Sequence, residues 1–319
     1  MKQLNKLILV LVLPLVMANC NKDKSQSEAN QNLNPGEHRI AVVLANHGSR
    51  SKTWRTELLK LEENVKQQVL ANPGVIGVAT AFMEYNEPSI ATRLKEFDAQ
   101  GATDIIIVPI FLTVSTHSFD DIPTIAGQKE NAQSVKEMRL EKIERYKPKA
   151  KVTITPLLDF KNILQENVLR RALSMSKSPK DEGITLIAYG DATYEKEWKE
   201  LMDSVAAHVK DKAGIDTYSY GWCGHLVKYD PQKTTEAIEE VLAKKKRSIV
   251  LPILVAYDEM FQGQIIGDGI KKIKDHEERV LYHADSILPD IGVEKWVTDI
   301  VHENVTKILS SSTEAPEEK

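Results

Sequence analysis

Short apolar runs alternate with amphipathic segments along most of the chain. The runs 40–44, 75–82 and 104–112 are rich in β-branched residues, which is typical of strands, and the third is apolar on both faces. Between the first two runs, apolar residues recur at helical spacing: Trp54, Leu58, Leu61, Val65 and Val69. This alternation predicts an α/β fold with a mainly parallel sheet flanked by helices.

The same order of features recurs later in the chain. Tyr189 follows the apolar run 183–188 as His47 follows the first run, 142 positions earlier. The proline inside the third run also recurs, because Pro252 stands 143 positions after Pro109. We interpret this as a tandem duplication of an α/β lobe.

The duplication predicts two lobes with a cleft between them. We expect the first lobe at 38–165 and the second at 166–309, followed by a disordered tail at 310–319. Because both lobes are in one chain, the protein is expected to be a monomer.

The N-terminus has the pattern of a secretory signal peptide. Lys2 and Lys6 precede the apolar run 7–17, which is too short to span a bilayer. We therefore assign 1–20 as a signal peptide.

Residues 15–20 resemble the lipobox of bacterial lipoproteins, in which the cysteine becomes the lipidated first residue of the mature chain. Here that residue is Cys20, and the polar segment 21–37 that follows is typical of a flexible tether. The sequence therefore predicts a membrane-anchored lipoprotein of the cell envelope, facing the periplasm or the outside. Removing Cys20 leaves Cys223 alone, so no intramolecular disulfide is expected.

The composition of the chain excludes several classes of protein. The 319 residues are 42% hydrophobic with a formal net charge of −4, which excludes a collagen, a coiled coil and a multispan membrane protein. No basic block is longer than the four residues 244–247, so nucleic-acid binding is not indicated.

Three candidate ligands follow three successive strands of the first lobe. His47 and Glu84 come directly after the first two strands, and His117 lies a few residues beyond the third. Parallel strands end at one edge of a sheet, so these side chains are expected in one cleft. Two imidazoles and a carboxylate bind Co²⁺, Ni²⁺, Fe²⁺ or Zn²⁺ with positions left open. The alternative for each residue by itself is a hydrogen-bonded loop histidine or a solvated carboxylate.

The neighbours of these residues are polar. Asp120 and Asp121 could join the metal shell or cap a helix. Arg50 could bind substrate carboxylates or belong to a solvated face. We assign the following residues to substrate binding: Ser49, Arg50, Ser115, Asp120, Asp121 and His225.

Three motifs of the first lobe resemble those of the class II tetrapyrrole chelatases of the CbiX and SirB type. The first is His-Gly-Ser-Arg at 47–50, and the second is an aromatic-hydrophobic-Glu element shortly before Glu-Pro at 82–90. The third, at 101–123, runs from Gly-Ala through an apolar strand with a proline to a histidine and Asp-Ile-Pro. The resemblance covers 40–125 closely and the rest by topology.

The resemblance implies that His47, Glu84 and His117 are both the metal ligands and the catalytic residues. It implies a chelatase, a lyase that inserts Co²⁺ or Fe²⁺, or else Ni²⁺, into sirohydrochlorin or a related tetrapyrrole without a nucleotide. The chain has no Walker-type phosphate loop that would suggest otherwise. Metal binding is expected to fall below about pH 6, where histidine becomes cationic.

A binding protein is the alternative function. Because sirohydrochlorin metallation is intracellular and this chain carries an export signal, it could instead be an envelope lipoprotein that binds or ferries metal, haem or tetrapyrrole without turnover.

The second lobe departs from the metal-site pattern. At the constant offset, His47 falls on Tyr189, Glu84 on Val227 and His117 on Met260, which predicts one active lobe and one degenerate lobe. His225, two residues before Val227, is expected on the same face of any strand there and could point into the cleft.

Aromatic residues of the second lobe are Trp222, Tyr257 and Phe261, which could stack on a macrocycle or belong to the core. Tyr189 and Met260 are of residue types that can ligate haem iron, which would be an alternative role for the second lobe.

Overall fold

The computed structural model describes residues 38–158 and 160–311. The predicted signal peptide 1–20, the lipidation of Cys20, the tether 21–37 and the tail beyond 311 therefore lie outside the described residues. No helix in the described ranges is long and apolar enough to cross a membrane.

The first lobe is a four-stranded parallel sheet with the strand order β2-β1-β3-β4. Its strands are β1 (Ile40–Asn46), β2 (Val75–Phe82), β3 (Asp104–Pro109) and β4 (Lys151–Ile154). Its helices are α1 (Lys52–Leu70), α2 (Ile90–Ala99), α3 (Ile122–Ile125), α4 (Ala132–Glu141) and α5 (Phe160–Met175). A short π-helical segment, His117–Asp121, leads into α3.

The second lobe repeats this plan with the order β6-β5-β7-β8, again all parallel. Its strands are β5 (Glu182–Ala188), β6 (Tyr218–Trp222), β7 (Arg247–Ile253) and β8 (Val280–Tyr282). Its helices are α6 (Glu195–Ala213), α7 (Pro231–Leu242), α8 (Gly267–Lys271), α9 (His276–Arg279) and α10 (Ile291–Ser310). The predicted pair of α/β lobes is confirmed.

Alternate residues of the central strands face two different cores. In β1, Ile40, Val42 and Leu44 face a core shared by the two lobes, while Ala41 and Val43 face an outer core of the first lobe. The shared core is filled by apolar residues of α1, α5, α6 and α10, and the outer cores by residues of α2 to α4 and of α7 and α8. Every residue of β1 is buried, as a parallel sheet covered on both faces requires.

One helix of each lobe packs against the other lobe. α5 packs against α6 and β7 of the second lobe, and α10 packs against α1 and β3 of the first. Asn167 and Arg170 of α5 both bind the carboxylate of Asp290, which caps α10. The expected boundary between 165 and 166 falls within α5, so a cut there would divide a continuous helix.

The sequence pattern predicts a helix after Glu87-Pro88-Ser89 with Pro88 in its first turn, and helix α2 begins at Ile90. Ser89 is its N-cap and accepts a hydrogen bond from the backbone N–H of Thr92. Pro88 therefore precedes the cap instead of lying in the first turn.

Candidate metal site at the edge of the first sheet

A close contact between two loops brings His47 to Glu84. A Cβ atom on Gly48 would lie 1.6 Å from the carbonyl oxygen of Glu84, so only glycine allows the loop after β1 to touch the loop after β2. His47 Nε2 then lies 2.9 Å from Glu84 Oε1. The glycine of the His-Gly-Ser-Arg motif is thus a requirement of packing.

Both ring nitrogens of His47 face acceptors. Nδ1 lies 2.6 Å from the carbonyl oxygen of Gly48, and Nε2 faces the carboxylate of Glu84. Burial lowers the pKa of His47, but the hydrogen bond and charge of Glu84 outweigh it, and the net shift is upward. For Glu84, burial raises the pKa, but the hydrogen bond and charge of His47 bring it below its usual value. Both shifts favour the charged pair of imidazolium and carboxylate.

His117 lies beside His47, with the ring centroids 4.9 Å apart in an edge-to-face arrangement. Its Nδ1 lies 2.8 Å from Asp121 Oδ2, one turn further along the chain. A carboxylate on one ring nitrogen fixes the tautomer and leaves the other nitrogen for a metal. Asp121 thus orients His117, and its side chain makes no capping bond to α3.

The three predicted ligands therefore lie close together. However, the contact between His47 and Glu84 occupies atoms that a metal would need. Within the residues that the structure describes, no group of three or more His, Cys, Asp or Glu side chains is arranged to hold a metal. His47 Nε2 and Glu84 Oε1 point at each other, so a metal has to displace the proton between them.

Two residues assigned to substrate binding, Ser49 and Ser115, make hydrogen bonds with other side chains of the protein. Ser49 Oγ donates to Asp258 Oδ2 at 2.5 Å. Ser115 Oγ lies 3.1 Å from Ser118 Oγ, and both serines are buried. These hydroxyls stabilise the loops that carry His47 and His117.

Asp120 and Arg50 differ in how open they are. Asp120 is bound by Lys129 Nζ at 2.5 Å and by the hydroxyl of Tyr194 at 3.4 Å. Arg50 is exposed, and its guanidinium carbon lies 5.5 Å from the ring centroid of Tyr85. Of the two, Arg50 is the side chain positioned to reach an anionic ligand.

The strand-end loops of the two lobes bind each other reciprocally. Ser49, after β1, donates to Asp258, after β7. The backbone N–H of Thr116, after β3, donates to Asp191, after β5, at 3.2 Å. These buried carboxylates link the two lobes beside the metal site.

The second lobe lacks the metal ligands, and the strand register corrects one of the expected equivalences. Asn46 pairs with Phe82 as Ala188 pairs with Trp222, so Glu84 corresponds to Gly224 and not to Val227. The ends of the first two strands are 36 residues apart in the first lobe, from Asn46 to Phe82, and 34 apart in the second, from Ala188 to Trp222, which is why the constant offset fails there.

His225 lies in a 3₁₀ turn, His225–Val227, so the argument that a strand would put His225 and Val227 on one face does not apply. Its Nδ1 lies 3.0 Å from the hydroxyl of Tyr189, the residue at the position of His47. Trp222 is 9% exposed and packs on Trp198, so it belongs to the core.

The sequence alone did not assign a role to two pairs of residues near the site. These are the aspartates Asp191 and Asp258 and the exposed tyrosines Tyr85 and Tyr229. Only Tyr85 carried a signal, because it directly follows Glu84.

Part of the chain is similar to known proteins. Residues 41–175 match the family model of CbiX. The sirohydrochlorin cobaltochelatase of Methanocaldococcus jannaschii is 41% identical over 87 residues, which are 27% of this chain and 58% of that protein. The enzyme of the same name from Saccharolobus solfataricus is 26% identical over 132 residues, 41% of this chain and 92% of that protein. The chain thus spans less than two thirds of the first of these relatives.

The fold has a counterpart among solved structures over most of its length. The sirohydrochlorin chelatase SirB from Bacillus subtilis subspecies spizizenii, in complex with cobalt, aligns with a TM-score of 0.59 at 18% identity. The alignment covers 85% of this chain and 97% of that one. The chain therefore has the two-lobed fold of that structure, and its residues 41–175 are similar to the CbiX family.

Proposed function

We propose that the protein is a metal chelatase that inserts Co²⁺ or Fe²⁺ into sirohydrochlorin or a related tetrapyrrole without a nucleotide. The observation that carries the proposal is the adjacency of His47, Glu84 and His117 at the carboxyl edge of one sheet. The names of the relatives, sirohydrochlorin cobaltochelatase, support the substrate class, and the cobalt complex of the fold neighbour supports the metal.

The ion pair between His47 and Glu84 suits a metal that is a substrate and not a resident cofactor. Metal binding at His47 Nε2 releases the proton held between the two side chains and frees the carboxylate of Glu84. A site that must break an internal hydrogen bond binds its metal less tightly than an open one, which favours release into a macrocycle.

Insertion replaces two pyrrole N–H protons by one divalent ion, so two protons must leave the macrocycle. Glu84, once it is freed from His47, is the carboxylate nearest to the bound metal and can accept one of them. The second passes to another base or to water. Arg50, exposed beside Tyr85, is placed to bind a carboxylate of the macrocycle.

We also propose the envelope location and the monomeric state that the sequence predicts. A lipid on Cys20 would anchor the chain through the segment 21–37. Replacing Cys20 with alanine should release the protein from the membrane fraction, and membrane retention of that variant would refute the anchor.

A binding protein without turnover is the second candidate, and the altered second lobe favours it. Tyr189 and Gly224 occupy the positions of His47 and Glu84, so each chain offers one metal site. Such a protein would bind one equivalent of metal or tetrapyrrole and then stop.

The deciding experiment follows the visible absorbance of excess sirohydrochlorin and Co²⁺ with the protein that lacks residues 1–20. A chelatase gives many turnovers, and the variants His47→Ala and His117→Ala lose them. One equivalent of spectral change without acceleration supports the binding protein, and no spectral change refutes both.

A further inference from the structure

Aromatic side chains occupy the part of the second lobe that corresponds to the metal site of the first. The ring of Tyr189 lies 5.4 Å from that of His225 and 5.5 Å from that of Phe261, measured between centroids. Phe261 in turn lies 6.2 Å from Tyr229. The result is a continuous aromatic cluster at the carboxyl edge of the second sheet.

This cluster faces the metal site of the first lobe. Ser49, two residues after His47, is hydrogen-bonded to Asp258, three residues before Phe261. Thr116, next to His117, is hydrogen-bonded to Asp191, two residues after Tyr189. The loops that carry the aromatic rings are thus joined directly to the loops that carry the metal ligands.

The pKa of Tyr189 agrees with a position of the cluster opposite the metal site. Burial raises the pKa of Tyr189, and Tyr229 and the charge of Glu84 across the cleft add to the rise.

Tyr85 and Tyr229 occupy equivalent loops, each between the second strand of its sheet and the helix that follows. Both have left-handed backbones, with φ of 61° and 58°, and both side chains are among the most exposed large ones, at 55% and 41%. A tyrosine adopts this backbone only when its surroundings enforce it. Here the loops hold two apolar rings in water, one on each side of the cleft.

We propose that Tyr85, Tyr229 and Phe261 bind the planar face of the tetrapyrrole and hold its centre next to His47 and His117. Flat conjugated rings stack well on aromatic side chains, and their burial removes the exposed apolar surface from water. The second lobe has thus exchanged metal binding for macrocycle binding. This inference rests on the proposed function, because it assigns the macrocycle of that reaction to a surface.

A titration of the full-length chain with metal-free sirohydrochlorin tests the inference, with the protein's intrinsic fluorescence as readout. Tyr229→Ala should weaken binding about fivefold to tenfold, and Tyr85→Ala with Tyr229→Ala about tenfold to a hundredfold. Tyr229→Phe keeps the ring and should restore the affinity. Affinity for Co²⁺ alone should be unchanged in Tyr229→Ala and Tyr229→Phe, which a general loss of structure would not allow.

Tyr218→Ala is the matched control. Tyr218 is 42% exposed, lies in the same lobe, and begins β6, whereas Tyr229 follows the other end of that strand. If Tyr229→Ala binds sirohydrochlorin as tightly as Tyr218→Ala while the unaltered chain still inserts metal, the inference is overturned and the proposed function stands. If the unaltered chain binds no sirohydrochlorin, both are overturned. If it binds the macrocycle without inserting metal, and Tyr229→Ala weakens that binding, the inference is supported and the chelatase proposal fails.

Discussion

The two lobes share a strand order, a helix arrangement and one core, yet only the first carries the His-Glu-His set. His47 corresponds to Tyr189, and Glu84 to Gly224. The strands are alike because both sheets must bury apolar residues on both faces. The side chains that differ lie in the strand-end loops, which can change from metal ligands to aromatic side chains while the strands keep their pattern.

The largest expected effect is on Co²⁺ affinity, which should depend on residues of the first lobe and not on those of the second. His47→Ala and His117→Ala should each weaken Co²⁺ binding about a hundredfold or more, because each removes a ligand. His225→Ala, at the facing position of the second lobe, should leave Co²⁺ affinity unchanged. Titration calorimetry measures all three, and an equal loss in His225→Ala would show that both lobes bind the metal.

The orientation of His117 gives the next effect. Asp121→Asn should weaken Co²⁺ binding about tenfold, because the amide no longer holds the imidazole in one tautomer through a charged hydrogen bond. Asp120→Asn is the neighbouring control, since Asp120 is bound by Lys129 and does not contact His117. Equal effects of the two substitutions would contradict an orienting role for Asp121.

The pH dependence should follow from the ion pair. Because the pKa of His47 is raised, protons compete with the metal from a higher pH than an ordinary histidine allows, and affinity falls about tenfold per pH unit below that pKa. In Glu84→Gln the charge is gone, burial then lowers the pKa of His47, and the fall should move to lower pH. Co²⁺ titrations across pH 5 to 9, a range of about four units around the usual histidine value, measure this shift. A fall at the same pH in both proteins would exclude the ion pair as its cause.

The same pair affects stability without metal. Its contribution is present between the two pKa values, and it is lost as pH rises through the raised pKa of His47 or falls through the lowered pKa of Glu84.

The smallest expected effect concerns the link between the lobes. Asp258→Asn should lower the free energy of unfolding by about 1 kcal/mol, because it weakens the buried hydrogen bond with Ser49. Asp268→Asn, on the surface of α8, is the control and should change the unfolding free energy little. Chemical denaturation measures both, and equal stabilities would show that the loop contact does not stabilise the link between the lobes.

Much of the first lobe could be predicted from the sequence. Strand and helix periods are local, so the positions of β1, β2 and α1 follow from the spacing of apolar residues. Parallel strands end at one edge, so His47, Glu84 and His117 had to be neighbours once the strands were known. The repeat in the sequence likewise predicted two lobes.

The rest depended on contacts between residues far apart in the chain. The second lobe has two fewer residues between the ends of its first two strands, so Gly224 stands at the position of Glu84 and His225 lies in a turn, which no constant offset could show. The exchange of α5 and α10 between the lobes, and the pairing of Asp258 with Ser49, arise from burial in the folded protein. The amino-acid pattern thus determined the strands and the edge that carries the ligands, because periodicity is local. Tertiary packing alone decided which side chains close the metal site and which face it across the cleft, because loop lengths and long-range hydrogen bonds set those distances.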